Sequence, residues 1–282
     1  YGKAKQADKA RQVLKDMEAD GVQPDGLVYH ALILAEFKGG KADAWDRINV
    51  GGTRRMLEAA RGAGVARFIH IGTEAALVRG QALHEVDESA PLAPDSPYPY
   101  CRTKALAEQA VRAANDPDRG FVTLVLRPRF IWGPGDQTLL PAILAMARAG
   151  RFAWIDHGRA LTSTTYIGNL VDAIELALTR GQPGEAYFIL DEGTRSLREM
   201  ITAMAAAADV TLPDKSIPYP VAAAVAWVCE TLWRATGRTS MPPLTRHAAM
   251  VMARECTLVG QKAARDLGYV PRVSVEEGLR EL

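Results

Sequence analysis

The chain has 282 residues, 48% apolar and 24% charged, with 34 Lys and Arg against 33 Asp and Glu, a formal net charge of +1. This is a globular composition with room for one large or two modest cores, and it gives no electrostatic case for nucleic acid or an anionic membrane. The three cysteines, Cys101, Cys229 and Cys256, are too scattered for a disulfide framework or a zinc site, so a reducing compartment, cytoplasmic or organellar, is expected.

The chain opens at Tyr1 with no signal peptide and no initiating Met, which leads to the expectation that upstream sequence has been removed or left out. Lys5–Ala19 has a helical pattern, with Ala10, Val13, Leu14 and Met17 on one stripe. Gly21 stands where a C-cap would, Val22–Gly26 is turn chemistry, and the apolar run Leu27–Leu34 fits either helix or strand.

From Asp46 the pattern alternates between β and α. Asn49-Val50-Gly51-Gly52-Thr53 leads into a helix over Arg54–Arg61, and Arg67–Gly72 reads as a buried strand followed by Thr73-Glu74-Ala75-Ala76. A polar, proline-rich loop, Asp87–Pro99, precedes a helix carrying Tyr100 and Lys104 that ends near Asn115. Phe121–Arg127 reads as a strand running into the loop Pro128–Gly135. A helix over Leu139–Ala149, the run Arg151–Ile155, the segment Leu161–Ile167, a helix over Asn169–Thr179 and a strand over Gly184–Leu190 follow. The remainder reads as mostly helical: Leu197–Ala208, Pro220–Thr236, Thr245–Arg254 and Val259–Leu267. The longest apolar run, Val221–Cys229, is too short to span a bilayer. The alternation predicts an α/β fold, a parallel sheet with helices on both faces.

Tyr100 and Lys104 are four residues apart, so on a helix they share a face. An ammonium beside a phenol favours phenolate, and the spacing predicts a tyrosine pKa drawn down toward working pH. Asn49-Val50-Gly51-Gly52-Thr53, the strand ending at Thr73, Tyr100-x-x-x-Lys104 and Arg127-Pro128 before Gly133-Pro134-Gly135 form an ordered set. The set resembles the extended short-chain dehydrogenase/reductase (NAD-dependent epimerase/dehydratase) family. Leu161–Asn169, Pro243–Arg246 and Leu267–Pro271 make the 3β-hydroxysteroid dehydrogenase-like branch the most similar subgroup.

The resemblance implies a Rossmann-like domain over 46–195 and a mostly helical substrate-side region over 196–282, with contributions from 136–168. It implies NAD or NADP as cofactor and hydride transfer to or from a secondary alcohol or ketone. Tyr100 would be the acid/base, Lys104 would tune it and hold the nicotinamide ribose, and Thr73 would position the reacting oxygen. Pro128 would make a backbone contact to the nicotinamide end, and Asn49 aligns with a structural or proton-relay asparagine. Leu139–Ile155 and Ile217–Trp233 are rich in Leu, Met, Phe and Trp, which favours a small apolar, sterol-like substrate; Trp132, Trp154 and Trp227 either line a pocket or pack.

Residues 1–45 resemble a different family. Tyr1-Gly2-Lys3-Ala4, Met17–Asp25 and Val28–Ile33 are similar to pentatricopeptide repeats, α-solenoid helix pairs that read RNA through positions equivalent to His30 and Asp25. One incomplete repeat and part of a second fall short of the roughly three needed for a continuous core, so nucleic-acid binding is the least favoured function. Asp25–Ala31 also looks like the sheet strand that precedes the NVxGT segment in short-chain dehydrogenases; the repeat match runs longer, and helix is the preferred reading.

The departure from the dehydrogenase pattern is the absence of the GxxGxxG strand–turn–helix and of its ribose-selecting residue. Charge-assisted hydrogen bonds to a pyrophosphate contribute ~1.5–3 kcal/mol each, and losing two or three weakens binding by on the order of 10³-fold. The expected sheet is therefore truncated, with residues 1–45 or a protein partner covering its edge. An oxidoreductase is the leading reading; a non-catalytic structural or assembly subunit derived from such an enzyme is the alternative.

Overall fold

The computed structural model describes residues 45–137, 139–236 and 242–282. The repeat-like segment lies outside the described residues. Wide π-type helical turns over Asp46–Gly52 run directly into α1 (Thr53–Gly62), followed by β1 (Arg67–Ile71), β2 (Leu83–Val86), α2 (Pro99–Ala113) and β3 (Val122–Pro128). Then come β4 (Ile131–Trp132), α3 (Leu139–Arg148), β5 (Trp154–Ile155), β6 (Leu161–Thr162), β7 (Thr165–Tyr166), α4 (Ile167–Ala177) and β8 (Ala186–Ile189). The last third holds β9 (Arg195–Ser196), α5 (Leu197–Ala207), β10 (Ser216–Ile217), α6 (Tyr219–Ala235), α7 (Arg246–Ala253), β11 (Cys256–Leu258), α8 (Gln261–Leu267) and α9 (Val275–Arg280).

β1, β3 and β8 form a parallel sheet in that order, with Ile71 opposite Leu126 and Pro128 opposite Ile189. The two-residue period of β3 sends Leu124 and Leu126 to one face, where they pack with Tyr187, Leu170, Ala173 and Leu267 under α4 and α8. Val125 points to the other face and packs with Leu57 of α1 and Val111 of α2. This gives a Rossmann-like α/β arrangement, as the alternation predicts. β1 is only half-buried, however, and Ile71 is 37% exposed, because among the described residues it pairs with β3 alone.

A second sheet, ordered β2-β11-β6-β9, stitches the C-terminal third to the front of the chain. Neither β2 nor β11 is evident in the sequence, where β2 lies ahead of a polar loop and Cys256–Leu258 precedes the expected helix. α9 is also absent from the sequence reading, although Ser274 and Glu277 form the reciprocal capping box that starts it. The segment over 128–135 contains the strand β4 as well as loop. It pairs with β7, and the junction is fixed by Asp191 just after β8. That buried carboxylate accepts from Trp132 Nε1 (2.8 Å), Thr164 Oγ1 (2.8 Å), Tyr166 N (2.8 Å) and Asn169 Nδ2 (2.9 Å). Trp132 and Trp154 are packed inside, while Trp227 on α6 is 55% exposed. No helix among the described residues is long and apolar enough to cross a membrane.

Candidate active site

The C-terminal ends of β1 and β3 and the first turn of α2 meet at one cavity of about 280 Å³. Gly72 lets β1 end against β3: its N–H donates to the Leu126 carbonyl at 2.8 Å, and a Cβ there would lie 2.9 Å from Val125 Cγ1. The extended Thr73 then caps a short 3₁₀ turn over Glu74–Leu77, its Oγ1 accepting from Ala75 N at 3.2 Å. α2 begins at Pro99, whose fixed φ suits a first helical position, with Tyr98 extended before it. Tyr100 is thereby held in the first turn, facing the strand ends.

Three of the sequence-predicted residues, Thr73, Tyr100 and Pro128, line this cavity. Lys104 is behind them, its ammonium 6.0 Å from the centroid of the Tyr100 ring and held below its usual pKa by burial. Among the described residues that ammonium makes no hydrogen bond or ion pair. Asn49 is a layer further back. Its amide donates to Thr103 Oγ1 at 2.9 Å, and its carbonyl accepts from Thr53 Oγ1 at 2.7 Å, so it ties the helical turns before α1 to α2.

The expectation of a depressed tyrosine pKa is not met. Burial, then the nearby Glu74 carboxylate, push the Tyr100 phenol up to about 12, against a smaller opposing hydrogen bond from Thr73. The i,i+4 spacing brings Lys104 to the Tyr100 ring, but both groups are desolvated and burial dominates both shifts.

Four residues that sequence spacing does not single out complete the lining. Arg129 Nη1 donates to Glu74 Oε1 at 2.7 Å in an ion pair only 8% and 6% exposed. Arg129 also donates through Nε to Thr162 Oγ1 at 3.2 Å, and Thr73 Oγ1 donates to the second Glu74 oxygen at 2.7 Å. His247 of α7 lies 5.6 Å, ring to ring, from both Tyr98 and Tyr100, and burial lowers its pKa, keeping it neutral at neutral pH. Met250 follows on the same helix. The wall opposite the tyrosine is thus supplied by α7, with Val78, Leu83 and Ile131; Trp132, Trp154 and Trp227 take no part. The one available signal was the acidic Glu74 placed directly after Thr73 in an otherwise apolar turn. Cys101 and Cys256 are no alternative nucleophiles, since burial pushes both thiols up to about 12.

A larger cleft of about 920 Å³ lies between the loop 87–95 and α8. Its cations are already engaged: Arg79 with Asp95 (2.8 Å), Lys262 with Glu185 (2.5 Å), Arg112 with the Gly184 carbonyl (3.1 Å) and Arg265 with Asp266 (2.8 Å). The smaller cavity is the one that brings together Thr73, Tyr100 and Pro128.

The sequence matches the 3-beta hydroxysteroid dehydrogenase/isomerase family over residues 15–219. The chain belongs to this family. It is 41% identical over 273 residues to a 4-hydroxy-2-methyl-3-oxo-4-farnesyl-3,4-dihydroquinoline-1-oxide ketoreductase of Stigmatella aurantiaca, covering 96% of this chain and 79% of that one. Identity to a 2-alkyl-3-oxoalkanoate reductase of Stenotrophomonas maltophilia is 38%, over 86% of this chain and 75% of the relative. For the decarboxylating sterol-4-alpha-carboxylate 3-dehydrogenase of Saccharomyces cerevisiae it is 31%, over 86% and 72%. The fold is similar to that of the UDP-glucuronic acid 4-epimerase of Bacillus cereus in complex with NAD, with a TM-score of 0.63 at 17% identity, covering 86% of this chain and 68% of that one. The family match begins at residue 15, so it takes in much of the segment whose sequence resembles a pentatricopeptide repeat.

Proposed function

We propose that the chain is an NAD(P)-dependent oxidoreductase that transfers hydride to or from a secondary alcohol or ketone, with Tyr100 as acid/base. The observation that carries this reading is the convergence of Thr73, Tyr100 and Pro128 on one cavity, with Lys104 behind the phenol. Tyr100 exchanges its proton with the oxygen of the reacting carbon, and Thr73 holds the phenol in place. The residues present fit the nicotinamide–ribose end of the cofactor: Lys104 has unspent donors for ribose hydroxyls, and Pro128 offers its backbone at the end of β3. When bound, the cofactor supplies or accepts the hydride. Asn49 acts indirectly, by fixing α2 through Thr103.

The substrate reading is a small apolar ketone or alcohol. Val78, Leu83, Ile131, Met250 and Val251 present an apolar wall to Tyr100. The relatives named above act on farnesyl, alkyl or sterol compounds, which agrees with that wall. On this reading 46–195 carries the cofactor side and 196–282 the substrate side, to which α7 already contributes. Among the described residues β1 pairs with β3 alone, and beside it is where residues 1–45 or a partner would complete the sheet.

Fluorescence titration with NADH and NADPH tests the proposal. Saturable binding below millimolar supports it; its absence for both leaves a non-catalytic subunit as the reading. Tyr100→Phe should retain cofactor binding and lose about 10²–10⁴ in kcat.

A further inference from the structure

We propose that Glu74 is the positioning residue that sets the direction of the proton in this site: it takes the only proton of Thr73, leaving Thr73 an acceptor and Tyr100 the donor. The inference rests on the oxidoreductase reading and deepens it.

Glu74 is 4% exposed and its Oε1 is paired with the Arg129 guanidinium at 2.7 Å, so it is a carboxylate and can only accept. Thr73 Oγ1 lies 2.7 Å from the other oxygen, Oε2. A hydroxyl has one proton, and between a carboxylate and a phenol that proton goes to the carboxylate. A remaining lone pair of Thr73 then receives the Ala75 N–H, at 3.2 Å. Thr73 therefore has no proton to offer the reacting oxygen, and Tyr100 is the donor that remains. The same carboxylate raises the pKa of Tyr100, second only to burial, so the resting site holds the phenol in its acid form. A site charged with a proton is prepared for the reductive direction, in which the carbonyl carbon takes hydride and the carbonyl oxygen takes the phenolic proton. The other groups facing Tyr100 do not reverse this. Arg129 opposes Glu74 with a smaller effect, His247 is neutral, and the Lys104 ammonium lies 6.0 Å from the centre of the ring.

The test is Glu74→Gln, which keeps the volume and offers an amide N–H that releases the Thr73 proton. Tyrosine ionisation is followed by NMR of protein labelled at tyrosine Cζ, with Tyr100 assigned by its loss in Tyr100→Phe. The wild type should show no Tyr100 ionisation below about pH 11, and the variant should titrate lower by about one pH unit or more, at least a tenfold change in the acid constant. In turnover the alkaline-favoured oxidation limb should move down by the same amount, whereas a merely structural role would lower both directions equally at every pH. If the single variant does not fold, Glu74→Gln with Arg129→Gln replaces the pair by neutral amides, and the shift should persist because the carboxylate outweighs the guanidinium at Tyr100. An unmoved Tyr100 titration in the folded variant overturns the inference, and this readout stands whether or not the chain binds a nicotinamide cofactor.

Discussion

Glu108→Ala is expected to be among the most damaging single changes outside the cavity. Glu108 stands one helical turn after Lys104 and two after Tyr100, and it joins α2 to β3 through Arg127, the residue before Pro128. Both side chains are 0% exposed; Arg127 Nε donates to Glu108 Oε2 at 3.0 Å and Nη2 donates to Oε1. Among the described residues Arg127 Nη1 already lacks a hydrogen-bond partner, and the guanidinium is otherwise met by the Phe188 ring at 5.5 Å. Truncating the carboxylate leaves a buried cation with no anionic partner, which costs about 3–5 kcal/mol. Against a total of about 5–15 kcal/mol this is a large fraction. At about 2–4 °C per kcal/mol for a chain of this size it lowers Tm by about 6–20 °C.

Replacing both partners together, Glu108→Met with Arg127→Met, removes the uncompensated charge and should restore stability to within about 1 kcal/mol of wild type or better. Urea unfolding followed by circular dichroism yields both values and the coupling between the sites. The exposed pair Arg79–Asp95, at 39% and 68% exposure, is the control, and breaking it should leave the urea midpoint essentially unmoved. A Glu108→Ala protein within about 1 kcal/mol of wild type, or a double variant as unstable as the single, would refute the reasoning.

Glu88 and Asp191 offer two further tests. Burial holds the Glu88 carboxyl above its usual 4.5, partly offset by the Phe188 N–H that it accepts at 2.8 Å. A raised acid binds its proton more tightly in the folded state, so this group's contribution falls as pH rises from 4.5 through the folded value. Glu88→Gln keeps an acceptor and cannot ionise. Its urea midpoint should match wild type near pH 4 and exceed it at pH 7; a wild type that is the more stable at pH 7 would contradict this. Asp191→Asn sets an amide N–H₂ against two of the four donors now converging on the carboxylate. A loss of about 2–5 kcal/mol is expected, read as a fall in the urea midpoint; a midpoint shift worth less than about 1 kcal/mol would mean that the junction tolerates a neutral partner.

The elements that were legible in the sequence are those whose signal is local. Proline at the start of α2 and the four-residue step from Tyr100 to Lys104 are contained in a few residues, as are the apolar runs of β3 and β8. The three-residue β11 has no such signal, because it is defined by partners far away in the chain: Cys256 pairs with Leu83 and with Thr162. The same holds in the cavity. Arg129 finds Glu74 across 55 residues, and His247 reaches Tyr100 from a helix formed much later in the chain. Spacing also mispredicted the sign of the Tyr100 shift, since periodicity reports which side chains are neighbours and not how much water has been removed from between them.

The two ends of the central sheet are chemically unequal. On β8 the Phe188 N–H turns away from β3 and is taken by the Glu88 carboxylate, so a backbone donor that another strand would need is already spent. β1 has no such stopper among the described residues. Among the described residues the two edges of this sheet thus differ: a side-chain carboxylate occupies a backbone donor on β8, and none does so on β1. The edge without that carboxylate is the strand whose end leads into Thr73, and so into the rim of the candidate cavity.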